Sequence, residues 1–250
     1  MASRQHDERA DQPGPDSEQG SAVSASDRCI VVAVGASAGG LGAYRKLLSS
    51  VPPDTGLAFV LIQHLDPSHE SLMADLLSKH TRMPVQQVDQ TTVIEPNHVY
   101  VIPPSKFLRF KDGALHLEAP ELERGQRMPI DFFFSSLAED CGERAVGVVL
   151  SGTGADGTRG IKEIKASGGM TMAQRPATAE YEGMPRSAVT TGMVDFVIPI
   201  EEMAAVLVRY SKHPYVLRAG ARADLERSQF DAVLGVLRAH TEYDFRCYKR

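Results

Sequence analysis

The chain has 250 residues, 24% of them charged, and a net charge of -5, ordinary values for a soluble protein of one large domain, or one domain and a fragment. That balance argues against general nucleic-acid affinity, and no apolar run is long enough to span a bilayer. The three cysteines, Cys29, Cys141 and Cys247, lie far apart without metal-ligand spacing, and the first residues lack a signal peptide's apolar core, so a cytoplasmic chain with reduced thiols is expected.

Residues 1–28 are polar, rich in Pro, Gly, Ser and mixed charge, and are predicted to be a disordered tail. From Cys29 onward the texture changes. The runs "CIVVAV", "LAFVLIQ", "HVYVIP" and "VGVVLS" read as strands buried on both faces. Helical patterns lie between and after them, at Leu41 to Ser50, Ser68 to His80, Pro129 to Cys141 and Asp156 to Ser167. This alternation predicts an α/β fold: a doubly wound, mostly parallel sheet in a three-layer α/β/α arrangement. "FLRFKDGALHLE" departs from it, since Asp112-Gly113 between two alternating runs signals a small β-hairpin. "MTMAQ" and "VDFVI" read as two further strands, and Glu201 to Tyr210 as a closing helix. Around His213-Pro214 the pattern loosens. An amphipathic helix with Phe230, Val233, Leu234 and Leu237 at helical spacing then follows. The expected organisation is a tail at 1–28, a domain at 29–212, and a linker and helix at 213–250.

The stretch "VVAVGASAGGLGAYRKLL" places Ser37 among small residues where a strand meets a helix. As a dinucleotide loop it is deficient. Ser37 occupies the position of the middle glycine of G-x-G-x-x-G, and the second strand leads into His64 rather than an acidic residue. No P-loop Gly-Lys-Ser/Thr follows either. As G-x-S-x-G it fits the sharp elbow that presents a nucleophilic serine, with a helix N-terminus aimed at a developing oxyanion. A plain tight turn is the third reading, and the nucleophile needs a base to displace it.

In an open parallel sheet, ligands bind at the carboxyl ends of the strands. Of the eight histidines, His64 directly follows "LAFVLIQ" and shares that edge with Ser37. Taken alone it reads as a loop histidine bonded to backbone; paired with Ser37 it is the candidate base. His69, at the start of a helix, remains open. "VGVVLSGTGADG" brings Asp156 to the same edge. Asp156 is either an N-cap or the carboxylate that orients His64, with Asp66 as its rival. The glycine loop around Thr153 offers backbone N–H groups to an oxyanion, or forms a weak anion nest. Ser, His and Asp each following a separate buried strand on one edge is a convergence that no single motif supplies.

With these residues in hand, the chain resembles the catalytic domain of the bacterial chemoreceptor methylesterases, the CheB-like protein-glutamate methylesterases. The likeness runs from about Ile30 to Tyr210 through "VGASAGG", "IQHLDP", "VYVIPP", "VVLSGTGADG", "AQRPATAEYEGMPRSAV" and "VDFVIPIEEMA". It implies a catalytic triad of Ser37, His64 and Asp156, oxyanion donors from the Thr153 and Ala38 backbone, and no metal or cofactor. It also implies hydrolysis of methyl-glutamate side chains on receptor signalling helices, with deamidation of receptor glutamine as a further activity. Arg186 in "GMPRSAV" is a candidate contact to acidic receptor helices, against the plainer reading of a surface or helix-capping arginine. Two positions depart from the family's habit: Ala38 stands where Thr is frequent and Thr153 where Met is frequent. The 28-residue tail is too short for the phospho-receiver domain that many relatives carry, so control by a fused receiver is not expected. "FDAVLGVLRAHTEYDFRCYKR" resembles the opening helix of the chemoreceptor methyltransferases, which implies the front of an esterase–methyltransferase fusion. The alternative from another class is a docking module of the same fold without turnover.

Overall fold

The computed structural model describes residues 29–64, 72–119 and 128–212. The expected tail, the linker and helix at 213–250, Asp66, His69 and the first turn of the expected Ser68–His80 helix all lie outside them.

In chain order the strands are β1 (Ile30–Ala36), β2 (Leu57–Gln63), β3 (Val85–Gln87), β4 (Thr92–Val93), β5 (Val99–Val101), β6 (Phe107–Lys111), β7 (Ala114–Glu118), β8 (Ala145–Val149), β9 (Met170–Gln174) and β10 (Phe196–Ile198). The helices are α1 (Gly40–Ser50), α2 (Met73–Ser78), α3 (Pro129–Cys141), α4 (Thr158–Ala166), α5 (Gly183–Thr190) and α6 (Ile200–Ser211). Seven strands form one sheet in the order β10-β9-β8-β1-β2-β5-β3, and all its pairs are parallel. The α/β, doubly wound architecture follows from strands apolar on both faces. Ile30, Val32 and Val34 of β1 pack with α1, α2 and α6, while Val31 and Ala33 face the opposite core, built with α3, α4 and α5.

The hairpin also forms, with Asp112 and Gly113 at φ 51 and 74, the left-handed pair that a tight two-residue turn requires. It gains a third strand, β4, absent from the sequence reading because two residues carry no periodicity. The short edge strand β3 went unread for the same reason. Helix α5 was also unforeseen. Its "GMPRSAVT" opens with Gly183 and has Pro185 in the first turn, where proline's missing N–H costs nothing, yet both residues read as breakers.

What positions the site is the order β8-β1-β2 at the sheet's centre. β1 registers with β2 from Ile30↔Leu57 to Ala36↔Gln63, and with β8 from Val31↔Ala145 to Gly35↔Val149. The residues just beyond these three strands therefore meet on one edge.

Candidate active site

Ser37 leaves the end of β1, and its N–H donates to Ser151 O at 3.0 Å, continuing the contact with the β8 side beyond the ladder. The chain then turns through Ala38 and Gly39, and the Gly40 N–H donates back to Ser37 O at 2.9 Å. Gly39 has φ 73, and a Cβ there would stand 2.7 Å from Ser151 Oγ and 2.9 Å from Glu180 Oε2, so both the backbone angle and the space demand glycine. The Ser151 hydroxyl donates to Ala38 O at 2.9 Å and accepts the Tyr181 N–H at 3.0 Å, tying the elbow to the segment before α5. The Ser151 N–H donates in turn to Gln174 Oε1 at 3.0 Å. Sequence reasoning missed Ser151, Gln174 and Tyr181, whose only signal was a place at or after a strand end on the same edge.

His64 follows β2 with its side chain 36% exposed. Its Nδ1 lies 3.3 Å from Ser37 Oγ and its Nε2 lies 3.1 Å from Asp156 Oδ2. Neutral imidazole with its proton on Nε2 can donate to Asp156 while Nδ1 accepts from the serine hydroxyl, the division of roles a base requires.

Asp156 is 3% exposed. Its Oδ2 accepts the Ile130 N–H at 3.1 Å, and its Oδ1 accepts the Asp131 and Gly157 N–H groups, each at 2.9 Å. Asp156 therefore both lies beside His64 and caps a helix, the cap differing from the expected one. Asp156 caps the first turn of α3, not its own helix, α4, whose N-cap is Gly157 at φ 91. The positive end of α3 and three N–H donors favour a carboxylate at this buried place.

The loop after β8 presses on Ser37. A Cβ on Gly152 would stand 3.0 Å from Ser37 Cβ and 2.2 Å from Met184 Sδ. The Gly152 N–H is taken by Tyr181 O at 3.0 Å, and its carbonyl accepts the Met184 N–H at 2.9 Å. Thr153 follows at once and is exposed, while Ala38 lies half-buried in the serine turn. Arg186 is 63% exposed and pairs with Glu182 at 2.6 Å across one turn of α5. Among the described residues no group of three or more His, Cys, Asp or Glu is placed to hold a metal ion. No helix among them is long and apolar enough to cross a membrane.

The family model described as CheB methylesterase matches residues 32–207, a span that contains every residue of this constellation. The chain belongs to the CheB methylesterase family. A protein-glutamate methylesterase/protein-glutamine glutaminase of Burkholderia lata is 36% identical over 203 residues, which cover 81% of this chain and 58% of that protein. A putative protein of the same name from Leptospira interrogans is 31% identical over 183 residues, covering 73% and 95% of the two chains. An uncharacterised 104.1 kDa protein of Rhodobacter capsulatus is 44% identical over 138 residues, 55% of this chain and 14% of that one. The chain thus spans little of the Rhodobacter relative, over half of the Burkholderia one and nearly all of the Leptospira one. Among solved structures, the CheB methylesterase catalytic domain of Thermotoga maritima superposes with a TM-score of 0.66 at 25% identity, covering 72% of this chain and 97% of that one.

Proposed function

We infer that the chain is a protein-glutamate methylesterase acting on methylated chemoreceptor signalling helices in the cytoplasm. The observation that carries this reading is the His64 ring standing between Ser37 Oγ at 3.3 Å and Asp156 Oδ2 at 3.1 Å. His64 takes the hydroxyl proton as Ser37 Oγ attacks the ester carbonyl, and Asp156 stabilises the imidazolium so formed. The Ala38 and Thr153 N–H groups, at the head of α1 and on the loop against Ser37, hold the oxyanion. His64 returns its proton to the departing methoxide, releasing methanol and leaving a glutamyl ester on Ser37. Water, deprotonated by His64, then attacks that ester and frees the glutamate carboxylate and the serine. The same steps with ammonia as the leaving group deamidate glutamine, an activity that the Burkholderia relative's name includes. Arg186, held by Glu182, sits on the α5 surface as a contact for acidic receptor helices. The stretch "FDAVLGVLRAHTEYDFRCYKR", which resembles the opening helix of a chemoreceptor methyltransferase, supports a fused partner domain in this reading.

Methanol release from methylated receptor, wild type against Ser37→Ala, tests the reading. Loss of release in the variant, with the fold retained, is the expected result. Wild-type protein that neither releases methanol nor reacts with a fluorophosphonate serine probe points instead to a docking module.

A further inference from the structure

Asp131 lies in the first turn of α3 and is 7% exposed. Its N–H donates to Asp156 Oδ1 at 2.9 Å, while its own Oδ1 accepts the Gly160 N–H at 2.7 Å, in the first turn of α4. The two acids therefore exchange caps. Asp156, which leads into α4, caps α3; Asp131, inside α3, caps α4. Gly160 has no room for a side chain, since a Cβ there would meet Phe134 Cβ of α3 at 2.3 Å. The helices are thus held at close approach, with two carboxylates between their first turns.

Burial raises the Asp131 carboxyl above its ordinary value, the Gly160 N–H lowers it, and the neighbouring Asp156 charge raises it again. Such an arrangement costs stability, and a plain helix cap at an exposed end would not. Among the described residues, the titratable and charged groups facing the pair include His64, against Asp156 at 3.1 Å, and Arg159 of α4, which acts on Asp131 and is itself paired with Glu163 at 3.5 Å.

We propose that Asp131 is a positioning residue for the esterase reaction: its N–H holds the Asp156 carboxylate that faces His64, its side chain ties the first turn of α4 to the same joint, and it sets a second buried carboxyl beside that of Asp156. The proposal rests on the esterase reading above. Two negative charges favour the imidazolium formed when Ser37 is deprotonated more than one does.

The test uses the full chain and follows the His64 ring C–H signal by NMR through a pH titration, the signal being identified by its loss in His64→Gln. Asp131→Asn keeps an acceptor for Gly160 and removes the charge. The His64 midpoint then moves to lower pH by on the order of half a unit. The acid limb of kcat/KM for methanol release moves with it, KM stays near wild type, and the melting temperature at neutral pH is at or above wild type. Asp131→Ala removes the acceptor too; kcat falls about tenfold or more and the Asn variant recovers most of it. A His64 midpoint unmoved in Asp131→Asn overturns the proposal, as does wild-type kcat in Asp131→Ala. Should Asp131→Ala fail to fold, the Asn variant alone decides. The two readings fail separately. Ser37-dependent methanol release with an unmoved His64 removes the role of Asp131. A shifted His64 in a chain without Ser37-dependent release upholds the coupling and removes the esterase.

Discussion

The Ile130 N–H donates at 3.1 Å to the same Asp156 oxygen that faces His64 Nε2. The residue proposed to orient the base is thus also part of the structural joint at the head of α3.

This double duty changes what Asp156→Asn should do. An amide has one acceptor oxygen, whereas the carboxylate serves His64 and the N–H groups of Ile130, Asp131 and Gly157. We expect kcat to fall by up to roughly ten-thousandfold through loss of the correct tautomer. We also expect a stability loss of about 1–3 kcal/mol from buried donors left unpaired. Methanol-release kinetics and urea unfolding on the same sample check both; unchanged stability would mean that the caps contribute nothing.

Gly152 and Gly154 share a loop yet should respond differently to alanine. At Gly152 the new Cβ meets Met184 Sδ at 2.2 Å and Ser37 Cβ at 3.0 Å, so the methionine must move and Ser37 must give by a few tenths of an ångström. Since a displacement of about 1 Å costs roughly a hundredfold in rate, this smaller one should cost about tenfold or less. At Gly154 no atom lies within 4 Å, and only the φ of 85 opposes the change, at about 1–2 kcal/mol. Steady-state rates and melting temperatures for the two variants separate the effects. Equal turnover by both would contradict the contact with Ser37.

Asp195 sets an acid limit on stability. Burial pushes its carboxyl up, but the Lys165 ammonium and the Thr171 N–H and hydroxyl outweigh that and hold it below the ordinary value. A depressed carboxyl contributes stability above its unfolded pKa of about 3.9 and loses it as pH falls through the folded value. Asp195→Asn should therefore cost about 1–2 kcal/mol at pH 7, and the difference from wild type should shrink toward zero in acid. Urea midpoints at the two pH values measure it.

Cys29 and Cys141 are both buried, and burial pushes their thiols up to about 11 and about 12. Thiolate is the reactive form, so at pH 8 neither should react with a disulfide reagent in the native fold. In a Cys247→Ser variant, reagent consumption should begin only when denaturant unfolds the chain. Fast labelling of the native protein would contradict the burial of these strand and helix ends.

Much of the site was legible because its residues are punctuation. Ser37, His64 and Asp156 each stand just past an apolar run, and the small residues around Ser37 declare a turn. Arg186 shows the limit of such reading. In "GMPRSAV" it reads equally as a receptor contact and as a surface or helix-capping arginine, and only the structure shows it on α5, paired to Glu182 one turn away.

By itself, the sequence determined the layered α/β class and the sheet edge at which Ser37, His64 and Asp156 meet. Hydrophobic periodicity and strand ends are local properties, written in consecutive residues. Only the tertiary structure decided that β8 lies beside β1 opposite β2, which brings Asp156 to His64 across more than ninety intervening positions. It alone revealed Ser151 clasping the serine turn and the exchange of caps between Asp131 and Asp156. Strand order and buried hydrogen bonds are settled by packing of distant segments, where each polar group must find a partner once water is excluded, and no local pattern records which partner that is.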